Sequence, residues 1–444
     1  MRDEGTAPTA GSSPSVRTLL LVRNDVEHDA RVLRAARVAE RVLEGRALVV
    51  GVATAAAPAG ATIVEGVPVL RLPARAWRLT GLLRLRGSFA TLRRPRTAPC
   101  TPQPGRGERS IVPGGPTAPP LGPAGRARRI LSGCSFARQA LSVARQTRPA
   151  LVHANDWNTM WTGLAIKLGY GARLVYDSHE LWPDRNGRWE WRPWLLAGEA
   201  LFVRAADELV TSSSGYADVL AARYRIPRPT VVRNIPECER RRPAVQPVGD
   251  TVPPGPPSQP RVVYVGGLMP GRGLEEMIDA LALLPDVRLC AIGPGTPPYR
   301  ASLLARASAA GVWERVKLSA PVAPARVRGV ASGATAGLCL IQPVCRSYEL
   351  CLPNKLFEYV AAGVPVLASD VPGIASVVRE HGLGEVVHTS DPPAIAAGLQ
   401  RLLAADDWRS TAARVRAVAL AHDWPGEAGT LEGVYRRAGR AMAA

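Results

Sequence analysis

Short apolar runs alternate with amphipathic segments along most of the chain, a pattern that predicts strands separated by helices. Asp29 precedes apolar residues at helical spacing, so it is placed at the start of the first helix. Strands alternating with helices are typical of βαβ units and a parallel sheet. The strands expected in the first half are Thr18–Val22, Arg46–Val52, Thr62–Leu72, Leu151–Ala154, Arg173–Asp177, Glu208–Thr211 and Thr230–Arg233.

The same pattern restarts after a Pro-rich stretch, which reads as an interdomain linker. We expect strands at Arg261–Val265, Val287–Ile292, Val316–Leu318, Ala336–Ile341 and Val364–Ala368, and helices ending at Leu283, Ala404, Ala421 and Met442. The predicted fold class is α/β, with two doubly wound Rossmann-like domains facing a cleft. Ligands of such sheets bind at the carboxyl ends of the strands.

The domain boundaries follow from these patterns. We place an N-terminal domain at 15–239, a linker at 240–260 and a C-terminal domain at 261–424. Residues 425–444 are expected to form a helix that packs back on the N-terminal domain.

Basic residues are concentrated in an Arg/Pro-rich insertion at 73–129. It holds twelve arginines and one acid, so it carries +11 of the net charge of +19. Only three of the 56 basic residues are lysines, which favours a GC-rich genome as the source of the excess. A nucleic-acid-binding protein is the alternative, but the insertion lacks the interleaved aromatic residues of a stacking platform.

The insertion contains one amphipathic segment, Leu79–Leu92. Two interpretations stay open for it: a basic helix that lies on an anionic membrane, or a solvated loop. We expect a cytoplasmic protein, with contact to a membrane surface as an option, because residues 1–15 lack the layout of a signal peptide and no apolar run reaches about 18 residues. Seven cysteines without a C-x-x-C pair suggest neither a disulfide framework nor a zinc site.

The most informative segment contains Pro353, Asn354, Lys355 and Glu358. Pro353 suits the first turn of a helix, and a helix N-terminus beside a cation is an anion site. Glu358, one turn deeper, would accept hydrogen bonds from vicinal hydroxyls. A diphosphate joined to a ribose needs both features. The alternative is an exposed Lys–Glu pair on a surface helix.

The segment Tyr348–Asp370 (YELCLPNKLFEYVAAGVPVLASD) resembles the nucleotide-sugar site of retaining glycosyltransferases of family 4, which have the GT-B fold. The resemblance implies retaining transfer of a hexose from a nucleoside-diphosphate sugar to an acceptor hydroxyl or other small nucleophile. No cofactor is implied, since the sugar nucleotide is a substrate. The absence of a D-x-D motif favours catalysis without a metal ion.

Donor-site residues follow from the resemblance. Lys355 and Arg272 correspond to diphosphate ligands, and Glu358 corresponds to the ribose ligand. The sequence departs from the family pattern at Leu350, where many members have a glutamate. The expected donor site consists of Gly266, Gly267, Arg272, Gly293, Asn354, Lys355 and Glu358.

Two of these positions carry a qualification. Gly267 replaces the arginine of the family's G-R-L motif. Gly293 lies in a turn that resembles the loop near the nucleotide base, and a plain connection between strand and helix is the alternative.

Acceptor-side residues follow from two N-terminal segments, HANDW and VYDSHELW, which resemble the family's VHAHD and VYDxHEL. His179 is the catalytic candidate there, along with Arg272 and Lys355, because a histidine can position or deprotonate a hydroxyl; a structural histidine is the alternative. Asp29 is either an acceptor-loop residue or an N-cap. The acceptor-side candidates are Asn24, His153, Asp156, His179 and Glu180, with Asp184 as a further hydroxyl ligand.

A nucleotide-sugar epimerase on the same fold is the alternative enzyme, and a donor-only assay separates the two. The expected partners are a small-molecule sugar nucleotide and an acceptor, and no nucleic acid. The sequence leaves open the donor sugar, its base, the acceptor and the oligomeric state.

Overall fold

The computed structural model describes residues 16–27, 29–73, 122–237 and 259–443. Several expectations therefore lie outside the described residues. These are the segment Leu79–Leu92, the insertion as far as residue 121, and the linker between 240 and 258.

The first sheet has eight strands in the order β3-β4-β2-β1-β5-β6-β7-β8. All neighbours are parallel except the β3–β4 pair. The strands are β1 (Val16–Leu21), β2 (Arg46–Val52), β3 (Gly60–Val64), β4 (Val67–Leu72), β5 (Leu151–Asn155), β6 (Arg173–Ser178), β7 (Glu208–Thr211) and β8 (Thr230–Val231).

Helices cover both faces of this sheet, as its continuous apolar strands require. The helices are α1 (Ala30–Leu43), α2 (Pro123–Thr147), α3 (Trp157–Tyr170), α4 (Arg192–Ala205) and α5 (Ser214–Tyr224). Helix α1 packs on one face, and α2 to α5 pack on the other. Helix α2 begins at Pro123, so the last residues assigned to the insertion belong to a regular helix.

The second sheet has six parallel strands in the order β11-β10-β9-β12-β13-β14. Its strands are β9 (Arg261–Val265), β10 (Arg288–Ile292), β11 (Val316–Ser319), β12 (Ala336–Cys339), β13 (Val366–Ser369) and β14 (Gly384–Val387). Its helices are α6 (Leu274–Ala280), α7 (Pro297–Ala309), α8 (Pro324–Ala331), α9 (Arg346–Glu349), α10 (Asn354–Ala361), α11 (Pro372–His381), α12 (Pro392–Leu403) and α13 (Ala405–Ala421). Two parallel sheets, each covered by helices, confirm the predicted fold class.

The last helix, α14 (Trp424–Ala443), returns to the first sheet. Leu431, Val434 and Tyr435 are buried in the same core as the apolar side of α1. The helix starts at Trp424 rather than Glu427, because a proline at the second position lacks only an N–H that the first turn leaves unbonded.

Two expectations about strands are wrong. Thr62–Leu72 is not one strand but a hairpin, β3 and β4, joined at Glu65 and Gly66, which both have positive φ. Strand β14 was not expected, since it is only four residues long and starts with glycine. None of the helices in the described ranges is long and apolar enough to cross a bilayer.

Candidate functional site

A cavity of about 450 Å³ lies between the two sheets, at the carboxyl ends of their strands. From the first sheet it is lined by Asn24, Asp25, Asp29, Arg31, His179, Glu180, Ser212, Tyr216 and Asn234. From the second it is lined by Arg272, Ile341, Ser347, Tyr348, Cys351, Leu352, Pro353 and Asn354. The position agrees with the rule for open α/β sheets.

Lys355, in the first turn of α10, is a buried cation. Its Nζ lies 3.7 Å from the centroid of the Tyr264 ring, and it has no hydrogen-bond partner among the described residues. Burial and the nearby Arg272 lower the pKa of Lys355 to about 7. Its side chain does not line the cavity, although Asn354 beside it does. An ammonium group with no partner at a helix N-terminus favours an anionic ligand.

Arg272 lines the cavity from the loop between β9 and α6. Its Nη2 donates to the Tyr348 hydroxyl at 3.0 Å, and the guanidinium lies 4.5 Å from the centroid of that ring. No carboxylate of the described residues forms an ion pair with it. Arg272 and Lys355 therefore form a pair of uncompensated cations.

Gly266 and Gly293 bring two loops of the second domain into contact. Gly266 has φ +137° and Gly293 has φ +154°. A Cβ on Gly293 would lie 1.9 Å from the Gly266 carbonyl oxygen, so only glycine fits. A Cβ on Gly266 would lie 3.6 Å from Lys355 Nζ. Gly293 thus has a packing role, while Gly266 borders the cation; Gly267 does not line the cavity.

Glu358 is half-buried one turn after Lys355. Burial raises its pKa to about 7, and Arg34 and Arg328 oppose that increase. Arg34 comes from the first domain, where it donates to the Ile235 carbonyl at 2.8 Å and to Asn234 Oδ1. Glu358 does not line the cavity, but this charge contact connects it to the segment that leaves the first sheet.

Helix α9 and the residue that follows it contact the first domain. Ser213 Oγ donates to the Leu350 carbonyl at 2.9 Å, and Tyr216 Oη donates to the Ser347 carbonyl at 2.8 Å. The Leu350 side chain is partly buried and packs against the core of the first domain. Glu349 instead pairs with Arg346 at 2.6 Å. The cavity therefore receives no carboxylate from Glu349 or from position 350, where many family members have a glutamate.

Asp177 is the centre of a buried charge cluster in the first domain. Arg31 donates to both of its carboxylate oxygens, at 2.9 and 2.8 Å, and also to the Val232 carbonyl at 2.6 Å. His179 Nε2 lies 3.2 Å from Asp177 Oδ2. Although burial opposes ionisation, Arg31 and His179 hold the pKa of Asp177 well below its usual range.

His179 lies between two carboxylates, because its Nδ1 is also 3.4 Å from Asp156 Oδ2. Burial lowers its pKa, but Asp156 and Asp177 outweigh that effect and raise it to about 10. The two carboxylates favour the protonated ring, which argues against a role as general base. His179 lines the cavity as a positive charge.

Replacing His179 by alanine should impair transfer without impairing nucleotide binding, because the side chain lies in the domain opposite the cations. We expect acceptor-dependent transfer to fall more than about tenfold, on the scale of a lost charged hydrogen-bond donor. Calorimetry and a transfer assay check the two parts separately. Loss of nucleotide affinity in this variant would contradict the division of roles between the domains.

The expectation for His153 is wrong. Its side chain is 0% exposed and does not line the cavity. Nδ1 lies 2.8 Å from the Tyr435 hydroxyl of α14, and Nε2 lies 3.4 Å from Asp177 Oδ2. Burial lowers its pKa. His153 is therefore a structural residue, buried between Asp177 and Tyr435.

Asp156 does not line the cavity either, but it holds His179, which does. Its Oδ1 accepts from the His179 backbone N–H at 3.1 Å, and its φ of 63° lies in the left-handed region. Asn24 does line the cavity, yet its amide is engaged locally: Nδ2 donates to Asp29 Oδ2 at 2.8 Å and Oδ1 accepts from Val26 N–H. Asp29 is the N-cap of α1, since Oδ1 accepts from the Val32 N–H.

Glu180 lines the cavity and forms no ion pair within 4 Å among the described residues. Burial, and secondarily Asp156, raise its pKa to about 7. Asp184 differs, because Arg192 and Arg223 both pair with its carboxylate. Asp184 does not line the cavity, so Glu180 is the one of these two carboxyl groups that faces it; the binding of acceptor hydroxyls stays a prediction.

Arg31, Asp177 and Tyr216 belong to the site or its support but were not expected from the sequence. Asp177 lies in the segment VYDSHELW, two positions before His179, and Arg31 lies two positions after Asp29, so their nearness to those candidates was the available signal. Tyr216 had none, because its partner is a backbone carbonyl 131 positions away.

Two family profiles match the chain. One, described as glycosyl transferases group 1, matches residues 259–405, and the other, described as glycosyltransferase family 4, matches residues 96–240. Together they account for more than half of the chain.

Curated proteins with similar sequences include a sugar-phosphate synthase and a glycosyltransferase. The chain is 29% identical to α-maltose-1-phosphate synthase of Mycolicibacterium smegmatis over 268 residues, 54% of this chain and 64% of that protein. It is 26% identical to D-inositol 3-phosphate glycosyltransferase of Streptomyces coelicolor over 299 residues, 59% of this chain and 64% of that protein. The chain spans just under two thirds of the length of these relatives.

Solved structures share the fold. Sucrose-phosphate synthase from Thermosynechococcus elongatus superimposes with a TM-score of 0.71 at 17% identity, over 96% of this chain and 100% of that one. Anabaena HepE in complex with UDP-glucose gives 0.63 at 16% identity, over 93% and 97%. With both sheets, the cavity between them and both profiles in agreement, the chain belongs to the family 4 glycosyltransferases of the GT-B fold.

Proposed function

We propose that the protein transfers a hexose from a nucleoside-diphosphate sugar to an acceptor hydroxyl, with retention of anomeric configuration and without a metal ion. The observation that supports this most is the pair of uncompensated cations, Arg272 and Lys355, beside the interdomain cavity. A diphosphate is the ligand that two cations and a helix N-terminus bind together.

The cations have a specific task in this reaction. When the bond between the sugar and the diphosphate breaks, negative charge develops on the leaving phosphate. Arg272 and Lys355, fixed before the reaction, stabilise that charge. The leaving phosphate oxygen takes the acceptor proton as the hydroxyl attacks the same face of the sugar. No protein base is required, in keeping with the two carboxylates beside His179, which favour its protonated form.

The ligands seen with similar proteins suggest which substrates to test first. HepE was solved with UDP-glucose, so a UDP-hexose is the first donor. The relatives' names include an inositol phosphate and a maltose phosphate, so phosphorylated polyols and sugars are the first acceptors. Glu180 is the carboxyl group placed to accept a hydrogen bond from an acceptor hydroxyl.

The proposal is tested by a thermal-shift screen of nucleoside diphosphates, followed by mass spectrometry with the stabilising donor and candidate acceptors. We expect an increase in melting temperature with one nucleotide, transfer in the presence of EDTA, and a product whose anomeric proton coupling matches the donor. Conversion of the donor without an acceptor would instead favour the epimerase, and an inverted product would contradict retention.

Nucleotide binding should weaken as the pH rises above about 7. The Lys355 ammonium has a pKa of about 7 without ligand, and a bound diphosphate raises that pKa, so the complex holds more protons than the free protein. Affinity should therefore fall by up to about tenfold per pH unit above pH 8, until the pH reaches the raised pKa of Lys355 in the complex. Calorimetry in two buffers of different ionisation enthalpy should show proton uptake at pH 8.

The matched control is Lys355→Arg, since arginine stays protonated throughout this range. It should remove most of the proton uptake while Glu358, whose pKa is also about 7, stays in place. Equal proton uptake in this variant would assign the titration to Glu358 instead.

A further inference from the structure

One side of the first domain exposes an unusual number of large apolar residues. Helices α2, α3 and α4 form its outer layer, and together with Trp191, the N-cap of α4, they carry half of the exposed large hydrophobic residues of the described chain. Leu168 is 78% exposed and Trp191 is 74% exposed. We call this surface the tryptophan face, consisting of Ile130, Trp161, Leu168, Trp191, Trp194 and Leu201.

The exposed rings are held in place. Trp161 and Trp194 stack on each other with ring centroids 5.7 Å apart and planes 12° apart. The buried Trp157 supports both edge-on, at 6.2 and 6.5 Å, and its Nε1 donates to the Leu195 carbonyl. The rings thus form a rigid exposed surface, although burying them in the domain core would have been the usual outcome.

The exposed apolar residues of α3 and α4 are spaced along the length of each helix. Leu168 lies seven residues after Trp161 on α3, and Leu201 lies seven residues after Trp194 on α4. A spacing of seven puts each pair on one side of its helix, two turns apart. The face therefore has one apolar side on each helix, and the stacked Trp161 and Trp194 rings join the two.

The exposed charged residues on the three helices of this face are all basic. Within α2, α3 and α4 the only acid is Glu199, which is 0% exposed and accepts from the Tyr224 hydroxyl at 2.7 Å. Arg138, Arg145 and Arg204 are exposed on the same helices. Tryptophan surrounded by arginine is the composition of protein surfaces that lie at the boundary between lipid headgroups and acyl chains.

We propose that the tryptophan face docks on an anionic phospholipid bilayer. Each exposed arginine gains from the negative surface potential, and the tryptophan and leucine side chains enter the headgroup region. A second copy of the chain is a poorer partner, because a two-fold interface would put one positive face against another.

The tryptophan face lies close to the cavity, so docking would affect how an acceptor reaches it; this step rests on the proposed function. Helix α3 starts directly after β5, and α4 follows the loop that carries His179 and Glu180. The tryptophan end of the face therefore borders the acceptor side of the cavity. A bilayer there would present an acceptor from its surface to the cleft.

The test is co-sedimentation of the full chain with phosphatidylcholine vesicles, with and without phosphatidylglycerol, at low and high salt. We expect binding to the anionic vesicles alone, reduced by salt. Leu168→Glu together with Leu201→Glu should weaken partitioning at least about tenfold, through lost apolar burial and added repulsion. The matched control is Leu304→Glu with Trp313→Glu, two exposed residues of the second domain, which should change nothing.

A second measurement needs no variant. Brominated phosphatidylglycerol in the vesicles should quench tryptophan fluorescence, since quenching requires the rings to reach the acyl chains. Absence of binding to anionic vesicles at low salt would overturn the proposal, as would binding without quenching. Binding unchanged by the Leu168/Leu201 substitutions would also overturn it, and would assign the contact to another part of the chain. Vesicle binding does not require transfer activity, so failure here leaves the proposed function standing, and the reverse also holds.

Discussion

Replacing Lys355 or Arg272 by alanine is expected to lower kcat/KM for transfer by about 10²–10³-fold. Each substitution removes one preorganised positive charge that stabilises the leaving diphosphate. Removing a single oxyanion-hole donor lowers the rate by a similar factor. Both residues lack a carboxylate partner in the described structure, so their removal disturbs no ion pair. The fold should therefore persist, as circular dichroism and thermal unfolding would show.

The matched controls are Lys317→Ala and Arg326→Ala, exposed cations of the same domain. Both controls should retain the activity of the parent chain. Near-normal transfer by both Lys355→Ala and Arg272→Ala would contradict the assignment of the diphosphate to this part of the cleft.

Arg31→Ala is expected to lower the free energy of unfolding by about 3–5 kcal/mol, the range for removing one partner of a buried ion pair. Arg31 is 5% exposed and Asp177 is 2% exposed. Without the guanidinium, the Asp177 carboxylate would remain buried with only His179 as a positive neighbour, which favours the lower end of the range. Urea denaturation monitored by circular dichroism measures the change.

The control for this prediction lies on the same helix. Arg37 pairs with Glu65 at 2.9 Å, but the two side chains are 35% and 45% exposed. Arg37→Ala should cost less than about 1 kcal/mol, because solvent screens that pair. The double variant Arg31→Ala with Asp177→Asn should recover part of the loss. Equal stabilities of Arg31→Ala and Arg37→Ala would show that the charge cluster does not hold the domain together.

The parts of the fold that could be predicted from the sequence are those encoded locally. Apolar runs of four to seven residues gave most of the parallel strands, and Pro353 with the spacing of Lys355 and Glu358 gave the start of α10. Where a single backbone conformation decides the outcome, the pattern failed: Glu65 and Gly66 turn the chain inside an apolar run. Neither the hydrophobic period nor the composition of that run marks the turn strongly.

The functional site shows the same limit for contacts between distant parts of the chain. His153 stands in a motif at the end of a strand, yet its partner, Tyr435, is 282 positions away on a helix that returns from the second domain. The charge of His179 likewise depends on Asp156 and Asp177 approaching it from two strands. Residue types indicated which groups belong to the site, but long-range packing determined their ionisation and exposure.

The most direct test of the central claim compares a nucleoside diphosphate with the matching monophosphate by calorimetry at pH 7, on the parent chain and on Lys355→Ala. We propose that Arg272 and Lys355 contact the diphosphate and supply much of the binding energy. The parent chain should therefore bind UDP at least about tenfold more tightly than UMP, a difference of about 1.4 kcal/mol or more, and Lys355→Ala should lose most of that preference. If UMP binds as tightly as UDP, or if the preference is unchanged in Lys355→Ala, these cations do not form the diphosphate site and the proposed donor chemistry is wrong.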